Sequence, residues 1–242
     1  MMTIISGVTN GIGKTSLMMY FLNESAFNVE RIKKGKRALM QLNRLLGTDR
    51  EIPEHFTHLN GKANFTKLYH NIRKVIDLEP EDFGIQSEAP KGVKCQFIPE
   101  WSTLGIDEAQ TWLSSRDGKV KPYQFSAYEK HRHNNLDIYM ATTRPMLIDL
   151  RIRDLSQGIF VRERKIRYGR YREMIIDWFV DFIPAGNMDA YLDSKPQDKK
   201  HYCSKEKITA VYNVFNIYDS EGYKPLFYEG YNEEDFKIKN GV

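Results

Sequence analysis

The sequence predicts an α/β protein with a mainly parallel sheet flanked by helices, and three observations carry the prediction. An apolar strand opens the chain and runs through a glycine-rich turn into an apolar helix. A second apolar run ends in two acids, Asp107 and Glu108, and a third strand begins at Asp137. Short buried strands separated by helical stretches are the signature of parallel sheets with crossover helices. An antiparallel edge hairpin and a small C-terminal β-rich extension complete the expected architecture. The expected division is one domain over residues 1–185 and an extension over 186–242.

Met2-Thr3-Ile4-Ile5-Ser6 reads as the first strand, Gly7 to Ser16 as the turn, and Leu17 to Leu22 as the start of the helix, which ends near Asn23 to Phe27. Strand, glycine-rich loop and helix in this order make a phosphate-binding loop, the mark of a P-loop NTPase. Gly11 and Gly13 let the backbone curl with its N–H groups inward. The positive end of the new helix suits an anion. Gly11, Ile12, Gly13, Lys14, Thr15 and Ser16 are therefore the expected ATP-binding set. Lys14 reaches for the β- and γ-phosphates, and the Thr15 hydroxyl sits on Mg²⁺. The usual spacing puts a glycine five residues before Gly13, where this chain has Val8, with Gly7 one place earlier. Either the loop is one residue longer than usual, or Val8 replaces a glycine that the turn spares.

With 242 residues, 41% hydrophobic and 28% charged, the chain has enough apolar mass for a real core. A formal charge of +4 is compatible with a nucleic-acid partner but does not require one. Cys95 and Cys203 stand far apart with no metal-type spacing, as expected of free thiols in a reducing compartment. No signal peptide is expected, because the N-terminus leads straight into a strand. The most apolar run, Met174 to Pro184, is interrupted by Asp177 and Asp181, well short of the roughly 18 to 20 apolar residues that span a bilayer.

The basic segment Arg31 to Arg44 carries leucines at helical spacing, and Gly47 is its expected stop. Its basic face is either solvated or a DNA or phosphate contact. Glu51 to Phe65 reads as mostly loop, Leu68 to Leu78 as a helix, and Trp112 to Tyr128 as an irregular polar passage. Ser102 to Gln110 is the second important stretch. A short apolar run ending in Asp107-Glu108 fits a nucleotide-hydrolysing strand, with Asp107 holding Mg²⁺ and Glu108 polarising the attacking water. Lys14 and these acids are expected to converge, across adjacent parallel strands, on one triphosphate. Asp137 to Ala141 reads as the third core strand, with Thr142, Thr143 and Arg144 at its ligand-binding carboxyl end. Ile159 to Arg164 and Tyr171 to Phe182 form the hairpin, whose many arginines either protect a sheet edge or track nucleic acid. Pro184 to Lys200 reads as linker, and Ile208 to Tyr218 as a last strand.

The phosphate loop, Phe97-Ile98-Pro99, Ile106-Asp107-Glu108-Ala109-Gln110, Lys130-His131-Arg132-His133 and Ile148 to Leu155 together resemble the zonular occludens toxin-like family, over roughly residues 1 to 165. That family includes the assembly ATPase of filamentous phages. The resemblance implies a P-loop motor that uses ATP and Mg²⁺ to extrude and coat single-stranded phage DNA at the host inner membrane. It implies a homo-oligomer working with phage coat or assembly proteins from the cytoplasmic face. Carried over by position, Lys14 and Thr15 bind phosphates and metal, Asp107 binds Mg²⁺, and Glu108 activates water. Arg132, or Arg153 from a neighbouring subunit, is the implied arginine finger. Where the family often offers a glutamine at the third strand's end, this chain has Thr142-Thr143. Relatives usually carry a transmembrane helix after the motor domain, so membrane association here is expected through a partner or a segment outside this sequence.

Overall fold

In the computed structural model the apolar run at the N-terminus forms β1 (Met2–Gly7), buried on both faces. The structure describes residues 1–9, 11–26, 28–47, 49, 52, 56–60, 76–78, 85–86, 95–96, 98, 100–114, 122–170 and 174–212. Helix α1 (Lys14–Ala26) follows the loop, then α2 (Val29–Leu46). The Asn28 side chain caps α2 by accepting from the Arg31 N–H, and Gly47 ends it in the left-handed region at φ 63°, as a glycine after a helix does. Next come β2 (Thr57–Asn60), β3 (Ile76–Leu78), β4 (Ile85–Gln86), β5 (Cys95–Gln96) and β6 (Thr103–Ile106). They are followed by α3 (Pro122–Glu129), β7 (Asp137–Ala141) and α4 (Leu150–Leu155). The described chain closes with β8 (Gln157–Tyr168), β9 (Met174–Ile183), α5 (Met188–Asp193) and β10 (Ser204–Tyr212).

Eight strands form one sheet in the order β10-β9-β8-β1-β7-β6-β2-β3. From β8 to β3 all neighbours are parallel, while β9 and β10 are antiparallel additions. Alternate side chains divide the core between two faces. Ile5 packs with Leu17, Met18 and Leu22 of α1 and with Trp178 of β9. Ile4 packs on the other side with Phe125 and Tyr128 of α3, Ile152 of α4 and Tyr191 of α5. Each such apolar side chain contributes about 1.5–3 kcal/mol when fully buried. Among the described residues, no helix is long and apolar enough to cross a membrane.

Several expectations are corrected. The stretch read as loop contains β2, and the end of the expected 68–78 helix is strand β3, residues 68–75 lying outside those described. The passage read as irregular ends in α3. The hairpin β8–β9 is not at the edge: β8 pairs with β1, and β10 covers β9. The supposed linker holds α5, which puts Met188 and Tyr191 into the core. Arg31 is neither solvated nor free for DNA. Its guanidinium pairs with Asp137 at 2.7 Å and donates to the carbonyls of Ser102 and Asn135 at 2.9 and 2.7 Å. It thereby clamps α2 to the N-terminal ends of β6 and β7.

Candidate nucleotide site

The loop leaves β1 at Gly7 and enters α1 at Lys14. Gly11 and Gly13 have φ of 77° and 91°, a region closed to most side chains. Gly7 is required for another reason. A Cβ there would meet Ile12 Cγ2 at 2.7 Å and the Val161 carbonyl oxygen of β8 at 2.9 Å. Val8 is 62% exposed. Gly7 is therefore the close-approach glycine, and the loop is one residue longer than the usual spacing.

Lys14 is only 8% exposed, and its ammonium donates to the Thr9 carbonyl at 3.0 Å. Burial pulls its pKa below the ordinary value, against the opposing pull of the Glu108 and Asp107 carboxylates. The Thr15 hydroxyl donates to Asp107 Oδ1 at 3.0 Å. Asp107 follows directly on β6, and β7 lies between β6 and β1. Loop and acid therefore meet across an intervening strand, not from adjacent ones as expected. A hydroxyl and a carboxylate at this separation are hard oxygen donors of the kind Mg²⁺ takes, so Thr15 and Asp107 are the pair that would hold it.

Glu108 adopts the left-handed region at φ 49°, which costs an ordinary residue about 1–2 kcal/mol. Two donors from Thr111, its N–H at 2.8 Å and its hydroxyl at 2.9 Å, hold the Glu108 carbonyl. The Glu108 carboxylate accepts from the Gln110 amide. The same amide's oxygen accepts from the buried Thr142 hydroxyl at 2.5 Å, and the Arg144 N–H donates to that hydroxyl at 3.1 Å. A chain of hydrogen bonds thus links the acid after β6 to the end of β7. Sequence reading quoted Gln110 within its motif and gave it no role. The signal was there: an amide two residues beyond the acids, and a hydroxyl at the next strand's end where a glutamine was sought.

The two expected arginines lie elsewhere. Arg132 is exposed in the turn before β7. The parallel register Met2↔Ile138 puts that turn at the opposite end of the sheet from the loop, so Arg132 does not meet the loop within its own chain. The buried member of that motif is His131, whose Nδ1 lies 2.6 Å from the Tyr128 carbonyl oxygen and holds the turn. Arg153 is 7% exposed; it is ion-paired with Asp189 of α5, Nε to Oδ1 at 3.1 Å, and its Nη2 donates to Asp189 Oδ2 at 3.2 Å. It joins α4 to α5 and does not project outward. The arginine that does lie against the loop is Arg164 of β8, whose side chain crosses Gly13.

A family model described as zonular occludens toxin (Zot) matches residues 2–178. The N-terminal domain of zonular occludens toxin from Neisseria meningitidis is similar at 15% identity and a TM-score of 0.38, covering 88% of this chain and 93% of that one. B204, the DNA-packaging ATPase from Sulfolobus Turreted Icosahedral Virus, is similar at 13% identity and a TM-score of 0.36, covering 70% of this chain and 76% of that one. The genome packaging NTPase B204 of Sulfolobus turreted icosahedral virus 2, in complex with ATP-gammaS, is similar at 13% identity and a TM-score of 0.34, covering 70% and 74%. No curated protein matches the chain.

Proposed function

Because this chain belongs to the zonular occludens toxin (Zot) family, we propose that it is an ATP-hydrolysing P-loop motor that assembles and exports a filamentous phage with its single-stranded DNA. The observation that carries the reading is the 3.0 Å bond from the Thr15 hydroxyl to Asp107. It joins the helix end of a phosphate loop to the acid of a separate strand, the juxtaposition that a magnesium nucleotide needs.

In this reading the loop N–H groups and Lys14 hold the phosphates. Thr15 and Asp107 would hold Mg²⁺, which would supply positive charge against the phosphates. Glu108 accepts the proton of a water attacking the γ-phosphorus, and ADP leaves. Gln110 aims Glu108, and its bond to Thr142 ties that aim to the end of β7. The protein works as a homo-oligomer with phage coat or assembly proteins, at the cytoplasmic face of the host inner membrane. Of the two implied arginines, Arg132, exposed at the far end of the sheet, is the one open to a neighbouring subunit.

The test is steady-state phosphate release from MgATP by the purified full chain. Lys14→Ala should lose nucleotide binding, and Glu108→Gln should bind MgATP without turning it over. Unchanged hydrolysis by Glu108→Gln removes Glu108 from its role. A wild type that binds MgATP and releases no phosphate is a nucleotide-binding scaffold instead. Hydrolysis stimulated by duplex DNA, and weakening steeply with salt, assigns the motor to DNA packaging in place of phage extrusion.

A further inference from the structure

Strand β8 outruns β1. Their parallel pairing ends at Gly7↔Val161, while β8 continues to Tyr168 against β9 alone. The residues just beyond Val161 therefore border the phosphate loop. Which of them faces the loop is decided by a bulge between Val161 and Glu163. Val161 packs on the α1 side of the sheet, as do Ile176, Trp178 and Val180 of β9. Strict alternation from Val161 would put Glu163 on that side too. The bulge shifts the parity, so Glu163 falls opposite Phe179 and Arg164 falls opposite Trp178, on the loop side. Bulges beside functional sites re-aim side chains in this way. Here the shift presents a cation to a phosphate loop in place of an anion.

The approach is close. A Cβ built on Gly13 would lie 2.8 Å from Arg164 Cδ and 3.0 Å from its Nη1. Gly13 directly precedes Lys14, and its lack of a side chain is what lets the guanidinium stem cross there. Asp107 and Glu108 reach the loop from β6, on the other side of β1.

We propose that Arg164 binds the phosphate chain of the nucleotide from within the same subunit, on the side of the loop away from Asp107. This rests on the nucleotide reading above. A guanidinium makes two parallel charge-assisted bonds to a phosphate, which an ammonium cannot copy.

The test measures MgATP affinity by titration calorimetry on the full chain for wild type, Arg164→Met, Arg164→Lys and Lys14→Ala, with urea midpoints alongside. Arg164→Met keeps the apolar stem over Gly13 and should raise the Kd for MgATP roughly 10- to 100-fold at a near-wild-type midpoint. Arg164→Lys should recover part of the loss. Wild-type affinity in Arg164→Met, with Lys14→Ala still defective, overturns the proposal and leaves the nucleotide site standing. So does an affinity loss that follows the fall in urea midpoint equally in the Met and Lys variants, since that is a packing role. A wild type that does not bind MgATP overturns both readings.

Discussion

Thr142→Val removes one oxygen from a position 1% exposed and nearly preserves its shape. The lost hydroxyl donates to Gln110 at 2.5 Å and accepts from the Arg144 N–H at 3.1 Å. A buried group left without its partner costs about 1–3 kcal/mol. Gln110 is half-buried and regains water, so its share falls near 1 kcal/mol, and the Arg144 N–H adds about 1–2 kcal/mol. The sum is about 2–3 kcal/mol, a shift of about 1–1.5 M in urea midpoint for a slope near 2 kcal/mol/M. The functional effect is separate. With Gln110 no longer tethered, the Glu108 carboxylate loses its fixed aim, so kcat should fall about tenfold or more while the Kd for MgATP stays within about twofold. Urea denaturation and phosphate-release kinetics on the same preparation read both. A variant with the wild-type midpoint and wild-type turnover would refute the relay. A loss of MgATP affinity equal to the loss of turnover would place Thr142 in binding, not in positioning.

The glycines of the loop separate strain from collision. Gly11 has φ 77° and open space where a Cβ would stand, so Gly11→Ala should cost about 1 kcal/mol in urea unfolding. Gly13 has φ 91° and meets Arg164 Cδ at 2.8 Å and Ser16 Oγ at 2.9 Å, so Gly13→Ala should cost about 2–4 kcal/mol and lose MgATP binding. Equal costs for the two would remove the collision. A third prediction concerns acid stability. The Thr209 hydroxyl first, then Lys207 and Arg167, hold the Asp177 carboxyl down to about 2, below its ordinary 3.8. The folded pKa lies below the unfolded one, so this contribution is present above about pH 4 and is lost as pH falls towards 2. Urea midpoints between pH 2 and 5 should fall less steeply for Asp177→Asn than for wild type.

What could be read from the sequence is what is local in it. Strands β1, β6 and β7 are central and buried on both faces, so each shows as a largely apolar run without needing its neighbours. The loop's chemistry sits within ten residues, and Asp107-Glu108 marks its own strand end. The elements that escaped depend on partners distant in sequence. The six residues of α5 carry only Met188, Tyr191 and Leu192 as anchors among polar neighbours, too few for a helical period. Arg153 looked like a finger because it is an arginine in a motif. Its bonds to Asp189 join residues 36 apart, and nothing in either stretch announces the other.

The bulge in β8 shows where such reading stops for a physical reason. A strand's side chains alternate with period 2, so from Val161 the pattern alone assigns Glu163 to the loop side and Arg164 to the other. One extra residue opposite β9 reverses both assignments. The reversal is a property of the pair of strands, set by how many residues each contributes between fixed contacts, and neither strand encodes it alone. Its consequence is electrostatic. A carboxylate beside Gly13 would oppose the phosphate proposed to sit on the loop N–H groups and Lys14, while a guanidinium there would add to their attraction. Exchanging the two charges with Glu163→Arg and Arg164→Glu leaves the bulge in place and should put a carboxylate on the loop side. The affinity for MgATP should then fall further than in Arg164→Met, since a repelling charge replaces an attracting one. Titration calorimetry reads the difference, and an affinity equal to or above that of Arg164→Met would show that the bulge does not turn position 164 towards the loop.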